Sequence, residues 1–153
     1  MSVQMLTHIG VCVSDMERSR AFYCDVLGFE EVGDLNVSGE PTDTLLDLKE
    51  VELFATYLER DGFRIELLTF ASPGHIGSTE ARAMNQLGFT HFSLRVADLD
   101  AICAAIERAG GRILQHTRRD MGPARVVMAV DPDGIRLELI ERPGDPAALP
   151  GSA

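Results

Sequence analysis

The sequence is short of the features that mark membrane proteins, secreted proteins and nucleic-acid-binding proteins. None of its 153 residues belongs to a run approaching the roughly 20 apolar residues of a membrane-spanning helix. The N-terminus has no basic segment followed by an apolar one, so we expect a cytoplasmic protein. Acidic residues outnumber basic ones by 24 to 14, and the net charge of −10 would repel a phosphate backbone. We therefore expect neither a membrane nor a nucleic acid as a partner.

Cysteine is scarce and irregularly spaced. The three cysteines are Cys12, Cys24 and Cys103, and each lies in an apolar stretch. Such a pattern favours buried thiols over disulfides or a cysteine-ligated metal cluster.

The sequence repeats itself. Its 153 residues are 45% hydrophobic, which is enough for one compact domain or for two half-domains that share a core. Thr7-His8 recurs as Thr90-His91, a shift of 83 positions, and Glu66-Leu67 recurs as Glu138-Leu139, a shift of 72 positions. Two copies of one module therefore each contain one histidine and one glutamate in the same local sequence.

Each copy has the pattern of a βαβββ module. In the first copy Asp15 is a helix cap, and the pattern predicts a helix over residues 18–27 and strands over residues 8–13, 29–37, 51–59 and 63–70. In the second copy Asp98 is the cap of a helix that runs to about residue 109, and strands are predicted over residues 89–96, 112–115, 126–130 and 135–140. We therefore predict an α+β fold with tandem modules at residues 1–72 and 89–142. Residues 73–88 form a linker with a short helix over residues 79–87, and residues 143–153 form a flexible tail.

The repeated residues have the chemistry of metal ligands. Side chains alternate along a strand, so Glu66 and Glu138 face away from the apolar residues beside them. A carboxylate among apolar neighbours is costly unless it is paired or bound to a cation. Any one of these residues alone would be a polar side chain on a half-exposed strand. Their repetition favours one divalent ion (Zn, Ni, Co, Mn or Fe) held by His8, Glu66, His91 and Glu138, with positions open for water or substrate.

Three segments resemble the signature segments of the vicinal oxygen chelate superfamily, the glyoxalase/bleomycin resistance/dioxygenase type. They are residues 22–29 (FYCDVLGF), 88–91 (GFTH) and 131–139 (DPDGIRLEL). The superfamily includes glyoxalase I, methylmalonyl-CoA epimerase, extradiol dioxygenases, fosfomycin resistance enzymes and metal-free bleomycin-binding proteins. The resemblance implies paired βαβββ modules that curl into an open mixed sheet around a metal cavity. It also implies ligands on the first and last strands of each module, which are the positions of the same four residues.

The complete histidine and glutamate set is similar to that of bacterial glyoxalase I and is compatible with that of the acyl-CoA epimerases. Both kinds of enzyme remove a proton from carbon next to a carbonyl, with a metal ion holding the enediolate oxygen and a carboxylate taking the proton. The resemblance thus implies a metal-dependent lyase or isomerase. From the symmetry of the repeat we predict that the ligands Glu66 and Glu138 also carry the proton, one on each side of the substrate. Two alternatives stay open. One is an extradiol-type ring-cleaving dioxygenase with Fe(II) on His8, His91 and Glu138, and the other is a non-catalytic small-molecule or antibiotic-binding protein.

The resemblance also bears on substrate and partners. The arginines that hold glutathione in glyoxalase I fall at Cys12 and Leu87 here, and an expected asparagine falls at Phe70. Each lost charge-assisted hydrogen bond is worth roughly 1.5–3 kcal/mol, which argues against lactoylglutathione as the substrate. Phe70, Asn85 and Arg125 are the candidates for contact with another small molecule. Because single-chain members often dimerise, we expect a homodimer.

The shifts of 83 and 72 differ by 11 positions, so the first copy carries an insertion of that size between Glu30 and Leu53. Residues 40–48 have the pattern of a capped short helix whose leucines would be buried. We predict that this helix packs over the mouth of the cavity. A plain surface helix that bridges two strands is the alternative.

Overall fold

The computed structural model describes residues 2–148, and the chain divides into two compact units, Met1–Gly77 and Ser78–Ala153. Each unit contains one copy of the repeat, with its own open sheet of parallel and antiparallel strands. The predicted α+β class, with open mixed sheets, is confirmed. Within residues 2–148 no helix has the length and apolar character needed to cross a membrane. Part of the predicted flexible tail, residues 149–153, lies outside the described residues.

The first unit is a four-stranded sheet with two helices. Its elements are β1 Ile9–Cys12, α1 Met16–Ala21, β2 Glu30–Ser38, α2 Thr42–Leu46, β3 Glu52–Arg60 and β4 Phe63–Ser72. The strand order is β1-β4-β3-β2, in which β1 runs parallel to β4 and the other pairs are antiparallel. Helix α1 continues directly into a π-helical stretch, Phe22–Val26.

Local sequence sets the ends of α1. The Asp15 carboxylate accepts a hydrogen bond of 3.0 Å from the backbone N–H of Arg18, as the predicted cap requires. The helical stretch ends before Gly28, whose φ of 72° is in the left-handed region that glycine adopts without strain. Between these ends Phe22 is fully buried, and Leu67 is fully buried on β4, the strand that α1 packs against. Burial of such side chains contributes roughly 1.5–3 kcal/mol each.

The second unit is a five-stranded sheet with one α-helix. Its elements are β5 Phe92–Arg95, α3 Leu99–Arg108, β6 Arg112–Ile113, β7 Arg119–Met121, β8 Ala124–Val130 and β9 Arg136–Glu141. The strand order is β5-β9-β8-β6, and β7 also pairs with β8. Asp98 caps α3 by accepting hydrogen bonds from the N–H groups of Asp100 and Ala101 at 3.0 and 2.9 Å. The predicted strand over residues 112–115 is shorter than expected because a 3₁₀ turn, Gln115–Thr117, interrupts it, and β7 follows that turn.

The helix predicted over residues 79–87 is wrong. This segment makes one turn, in which the Gln86 N–H donates to the Ala83 carbonyl at 3.1 Å, and residues 79–87 form no helix. The Arg82 guanidinium donates to the Leu87 carbonyl at 2.7 Å and so ties the ends of the turn together. Leu87 is 96% exposed, so the segment lacks the packed apolar face that a short helix needs for stability.

The predicted helix in the insertion is present, but the expected burial of its leucines is wrong. Leu45 on α2 is 81% exposed, and Leu46 and Leu48 are also exposed. The helix has only five residues, which is too short to present a continuous apolar face. Asp43 instead fixes the loop that follows, because its carboxylate accepts from the N–H groups of Glu50 and Val51 at 3.1 and 2.9 Å. The insertion is thus a surface helix that bridges β2 and β3.

The expected burial of the cysteines is correct for Cys103, which is buried, partly correct for Cys24, which is half-buried, and wrong for Cys12, which is exposed. Val11 on β1 faces the core, so the alternation of the strand turns Cys12 to the opposite face. Burial raises the pKa of the Cys24 and Cys103 thiols.

Candidate metal centre

In each unit the structure brings the predicted histidine and glutamate together. Nε2 of His8 lies 3.1 Å from Oε2 of Glu66, and Nε2 of His91 lies 3.6 Å from Oε2 of Glu138. Each histidine directly precedes the first strand of its unit, and each glutamate lies on the last strand, which pairs with the first in parallel. The same topology therefore produces the same pair twice.

A threonine orients each imidazole. Oγ1 of Thr7 lies 3.1 Å from Nδ1 of His8, and Oγ1 of Thr90 lies 2.9 Å from Nδ1 of His91. Histidines that ligate metals commonly have their second ring nitrogen held in this way, which fixes the ring and leaves Nε2 for the metal. The dipeptide Thr-His is part of the repeat, so the sequence does indicate that each histidine has a threonine beside it. The repeat alone did not predict that the threonine contacts the imidazole.

Glu66 is nearly buried and has an aromatic neighbour that the sequence reasoning missed. Only 9% of Glu66 is exposed, and Tyr57 lies directly opposite it in the antiparallel pairing of β3 and β4. A hydrogen bond to the Glu66 carboxylate is the main cause that raises the pKa of the Tyr57 phenol, and burial raises it further. The Tyr57 ring also meets the His8 ring edge-on, with centroids 5.5 Å apart. The two-residue turn between Arg60 and Phe63 sets this register. The equal spacing of Tyr57 and Glu66 from that turn is the feature of the sequence that indicates their pairing.

Glu138 has its hydrogen-bond partner on the parallel strand beside it, whereas Tyr57 lies on the antiparallel strand beside Glu66. Oε2 of Glu138 accepts a hydrogen bond of 2.7 Å from the hydroxyl of Ser93, which lies opposite it on the parallel strand β5. Gly10 occupies the corresponding place beside Glu66. On the antiparallel side Met128 is opposite Glu138, where the first unit has a tyrosine. The Glu138 side chain is 24% exposed, whereas the Glu66 side chain is 11% exposed.

The donor atoms of each pair fit a transition-metal ion. An imidazole Nε2 and a carboxylate oxygen on neighbouring strands are typical ligands of Zn, Fe, Co or Ni. Each pair contains two such groups. Among residues 2–148 no group of three or more His, Cys, Asp or Glu side chains is assembled that could hold a metal ion. A complete site needs ligands beyond one pair.

The three candidate substrate contacts lie in different environments. Phe70 is half-buried on β4, on the same face of the strand as Glu66. Asn85 is exposed in the turn of the segment between the last strand of one copy and the first strand of the next. Arg125 donates to Asp100 at 2.6 Å and to Glu141 at 3.3 Å. Since Glu141 and Glu138 point to opposite faces of β9, the Arg125 guanidinium lies in an ion-pair network away from Glu138.

Comparison with known proteins agrees with this architecture. Residues 5–139 match the Glyoxalase/Bleomycin resistance protein/Dioxygenase superfamily. A probable lactoylglutathione lyase from Synechocystis sp. is 29% identical over 142 residues, which cover 89% of this chain and 94% of that protein. A lactoylglutathione lyase from Haemophilus influenzae is 27% identical over 145 residues, which cover 94% of this chain and 97% of that protein. A glyoxalase family protein of known structure from Bacillus cereus has the same fold, with a TM-score of 0.80 at 20% identity over 94% of this chain and 97% of that one. The chain therefore belongs to the glyoxalase/bleomycin resistance protein/dioxygenase superfamily.

Proposed function

We propose that this protein is a metal-dependent lyase or isomerase that removes a proton from carbon next to a carbonyl. The observation that carries the proposal is the repeated pair, in which Nε2 of a threonine-held histidine faces a glutamate oxygen. Relatives named as lactoylglutathione lyases support the same reaction class. In the proposal one divalent ion (Zn, Ni, Co, Mn or Fe) takes its ligands from His8, Glu66, His91 and Glu138.

The residues of the pairs suit this chemistry. A divalent ion bound by two imidazoles and two carboxylates would supply positive charge where negative charge develops on a carbonyl oxygen. Glu66 and Glu138 are proposed to carry the proton as well, because a carboxylate next to a substrate carbon is a suitable general base. On the face of β4 that carries Glu66, Leu68 and Phe70 are half-buried, and they would provide an apolar side that limits the access of water.

The metal is tested by elemental mass spectrometry on protein purified without chelators. We expect about one divalent ion per chain in the native protein and weakened or lost metal in Glu66→Ala. Glu52→Ala is the matched control, since Glu52 is an exposed glutamate of the same sheet and should leave the metal content unchanged. Metal that is retained fully without Glu66 would contradict a four-ligand site and would favour a three-ligand one. No metal in any sample would refute the proposal.

The origin of the ligands is tested by mixing two variants. His8→Ala and His91→Ala should each bind metal poorly. If the mixture regains binding, the site is built from two chains, as in a homodimer with shared sites. If it does not, each site is built from one chain. The baseline is the metal binding of the same two variants mixed under conditions in which subunits do not exchange.

The substrate is proposed to differ from lactoylglutathione. Cys12, Leu87 and Phe70 occupy the places where the resemblance implies glutathione-binding side chains, and the first of these is exposed on the face of β1 opposite Val11. We expect α-hydroxycarbonyl compounds or acyl thioesters to exchange their α-hydrogen for deuterium in D₂O, as followed by proton NMR. Glu138→Gln should abolish this exchange with metal still bound. Full exchange by that variant would contradict the proton-carrier role, and faster turnover with methylglyoxal and glutathione than with the other compounds would contradict the substrate assignment.

A further inference from the structure

Tyr57 contacts both members of the first histidine–glutamate pair. Tyr57 lies directly opposite Glu66 in the pairing of β3 and β4, where a hydrogen bond to that carboxylate raises the pKa of its phenol, and its ring meets the His8 ring with centroids 5.5 Å apart at an interplanar angle of 70°. The two contacts come from different parts of one rigid side chain. A tyrosine has few rotatable bonds, so it can hold both partners with little loss of conformational entropy.

The strand beneath Tyr57 is firmly anchored. Thr56 and Leu58, its neighbours on β3, are both fully buried on the opposite face. The Thr56 hydroxyl donates to the Asp34 carboxylate at 2.7 Å and thereby also ties β3 to β2. Since both neighbours are fixed, the alternation of the strand fixes the direction in which Tyr57 points. A side chain on such a platform can determine the geometry of the groups that it touches.

We propose that Tyr57 is a positioning residue for the first pair, whose hydroxyl holds the Glu66 carboxylate and whose ring edge holds the His8 imidazole before any metal ion binds. The proposal rests on the proposed function, because the pair is there assigned as two metal ligands. It goes beyond that function in making the two pairs unequal. The residue opposite Glu138 is Met128, which has no hydroxyl, and Glu138 instead accepts from Ser93.

Two variants separate the hydroxyl from simple packing. Tyr57→Phe keeps the ring and its edge-on contact with His8 but removes the donor to Glu66. Met128→Leu is the matched control, since it changes an apolar side chain of similar volume at the same place opposite Glu138. Both variants are made in the full chain.

The experiment has two readouts. In metal-free protein, long-range ¹⁵N–¹H NMR spectra report the ring nitrogens of His8 and His91, and we expect Tyr57→Phe to shift the His8 signals alone. Titration with Co²⁺, followed by its visible absorption, should show affinity weakened by about tenfold in Tyr57→Phe and changed by less than about twofold in Met128→Leu.

The outcomes are distinguishable. A local shift of the His8 signals, with weaker Co²⁺ binding, supports the proposal. Unchanged His8 signals, or changes spread over the backbone amide spectrum and the His91 ring, overturn it, because the tyrosine would then be irrelevant to the pair or important only for packing. Co²⁺ affinity within twofold of the native value also overturns it. If the native protein binds no Co²⁺, the proposed function fails, and the metal-free spectra still decide the role of Tyr57.

Discussion

The two units reach the same histidine–glutamate pair with different supports. In the first unit Glu66 is nearly buried and has Tyr57 across the antiparallel strand, whereas in the second unit Glu138 is more exposed and has Ser93 across the parallel strand. The features shared by both copies are the threonine before the histidine, the aspartate that caps the helix, and the parallel pairing of first and last strands. Thus the shared features fix the pair, and the groups that support the carboxylate differ between the copies.

The largest effects are expected in the two cores. Leu67 and Leu139 directly follow the two glutamates and are both fully buried. Leu67→Ala and Leu139→Ala should each lower the free energy of unfolding by about 2–5 kcal/mol, because each leaves a cavity. Urea denaturation followed by circular dichroism measures the loss. Phe63→Ala is the control, since Phe63 is 70% exposed at the start of β4. A large loss of unfolding free energy in only one of the leucine variants would show that the two cores are not equivalent.

The next comparison concerns the turns before the two last strands. Asp131 is fully buried, and its Oδ1 accepts from the N–H groups of Asp133 and Ile135 at 2.9 and 2.7 Å. Asp131→Ala should lower the free energy of unfolding by about 1–3 kcal/mol, because two amides lose their acceptor. Asp61, in the tight turn of the first unit, is exposed, and its φ of 53° is one that asparagine tolerates, so Asp61→Asn should change little. Equal losses in thermal or urea unfolding would contradict this difference between the turns.

A smaller effect is expected at the hydroxyl beside Glu138. Ser93→Ala removes the 2.7 Å hydrogen bond and should weaken Co²⁺ binding by about tenfold, whereas Ser93→Thr keeps a hydroxyl and should bind more tightly than the alanine variant. Gly10→Ser would place a hydroxyl next to Glu66. There the added Cβ meets Leu68 Cδ1 at 3.2 Å, so that side chain must move slightly. Affinity equal to the native value in Ser93→Ala would show that the second pair needs no such support.

The parts of the structure that the sequence predicts well follow local rules. Asp15 and Asp98 cap helices because an acidic residue before an apolar helical pattern accepts from the first free N–H groups. Glu66 and Glu138 face away from their buried neighbours because alternation along a strand needs no information from elsewhere in the chain. The repeat then associates each glutamate with a histidine, and the structure places both pairs within contact distance.

The parts that were missed or wrong depend on contacts between distant residues. Tyr57 and Ser93 acquire their roles from strand register, which in one case depends on the length of a turn and in the other on a parallel pairing. The helix expected over residues 79–87 and the burial expected for Leu45 both required a packing surface for the leucines, but Leu87 is 96% exposed and Leu45 is 81% exposed. Apolar periodicity in a short segment indicates what could be buried, and the partner surface decides whether it is.

The smallest expected effect is electrostatic and belongs to the second unit. On α3 the exposed Asp100 carboxylate accepts from Arg125 at 2.6 Å and from Arg118 at 2.8 Å, and these bonds, with that of Arg125 first, hold its pKa below the usual value. A lowered pKa in the folded state stabilises the protein above the unfolded value of about 3.9, and this contribution is lost as the pH falls through the folded value. Asp100→Asn should therefore lower Tm slightly at pH 7 in calorimetry, and the difference from the native protein should narrow as the pH falls below the unfolded value and close below the lowered folded value. On α1 the Glu17 and Arg20 side chains form an exposed pair at 3.2 Å, and Glu17→Gln should change Tm still less. If the Tm difference between Asp100→Asn and the native protein persisted below the folded pKa of Asp100, Asp100 would be acting through hydrogen bonds that survive protonation. The charge of Asp100 would then not be what distinguishes α3 from α1.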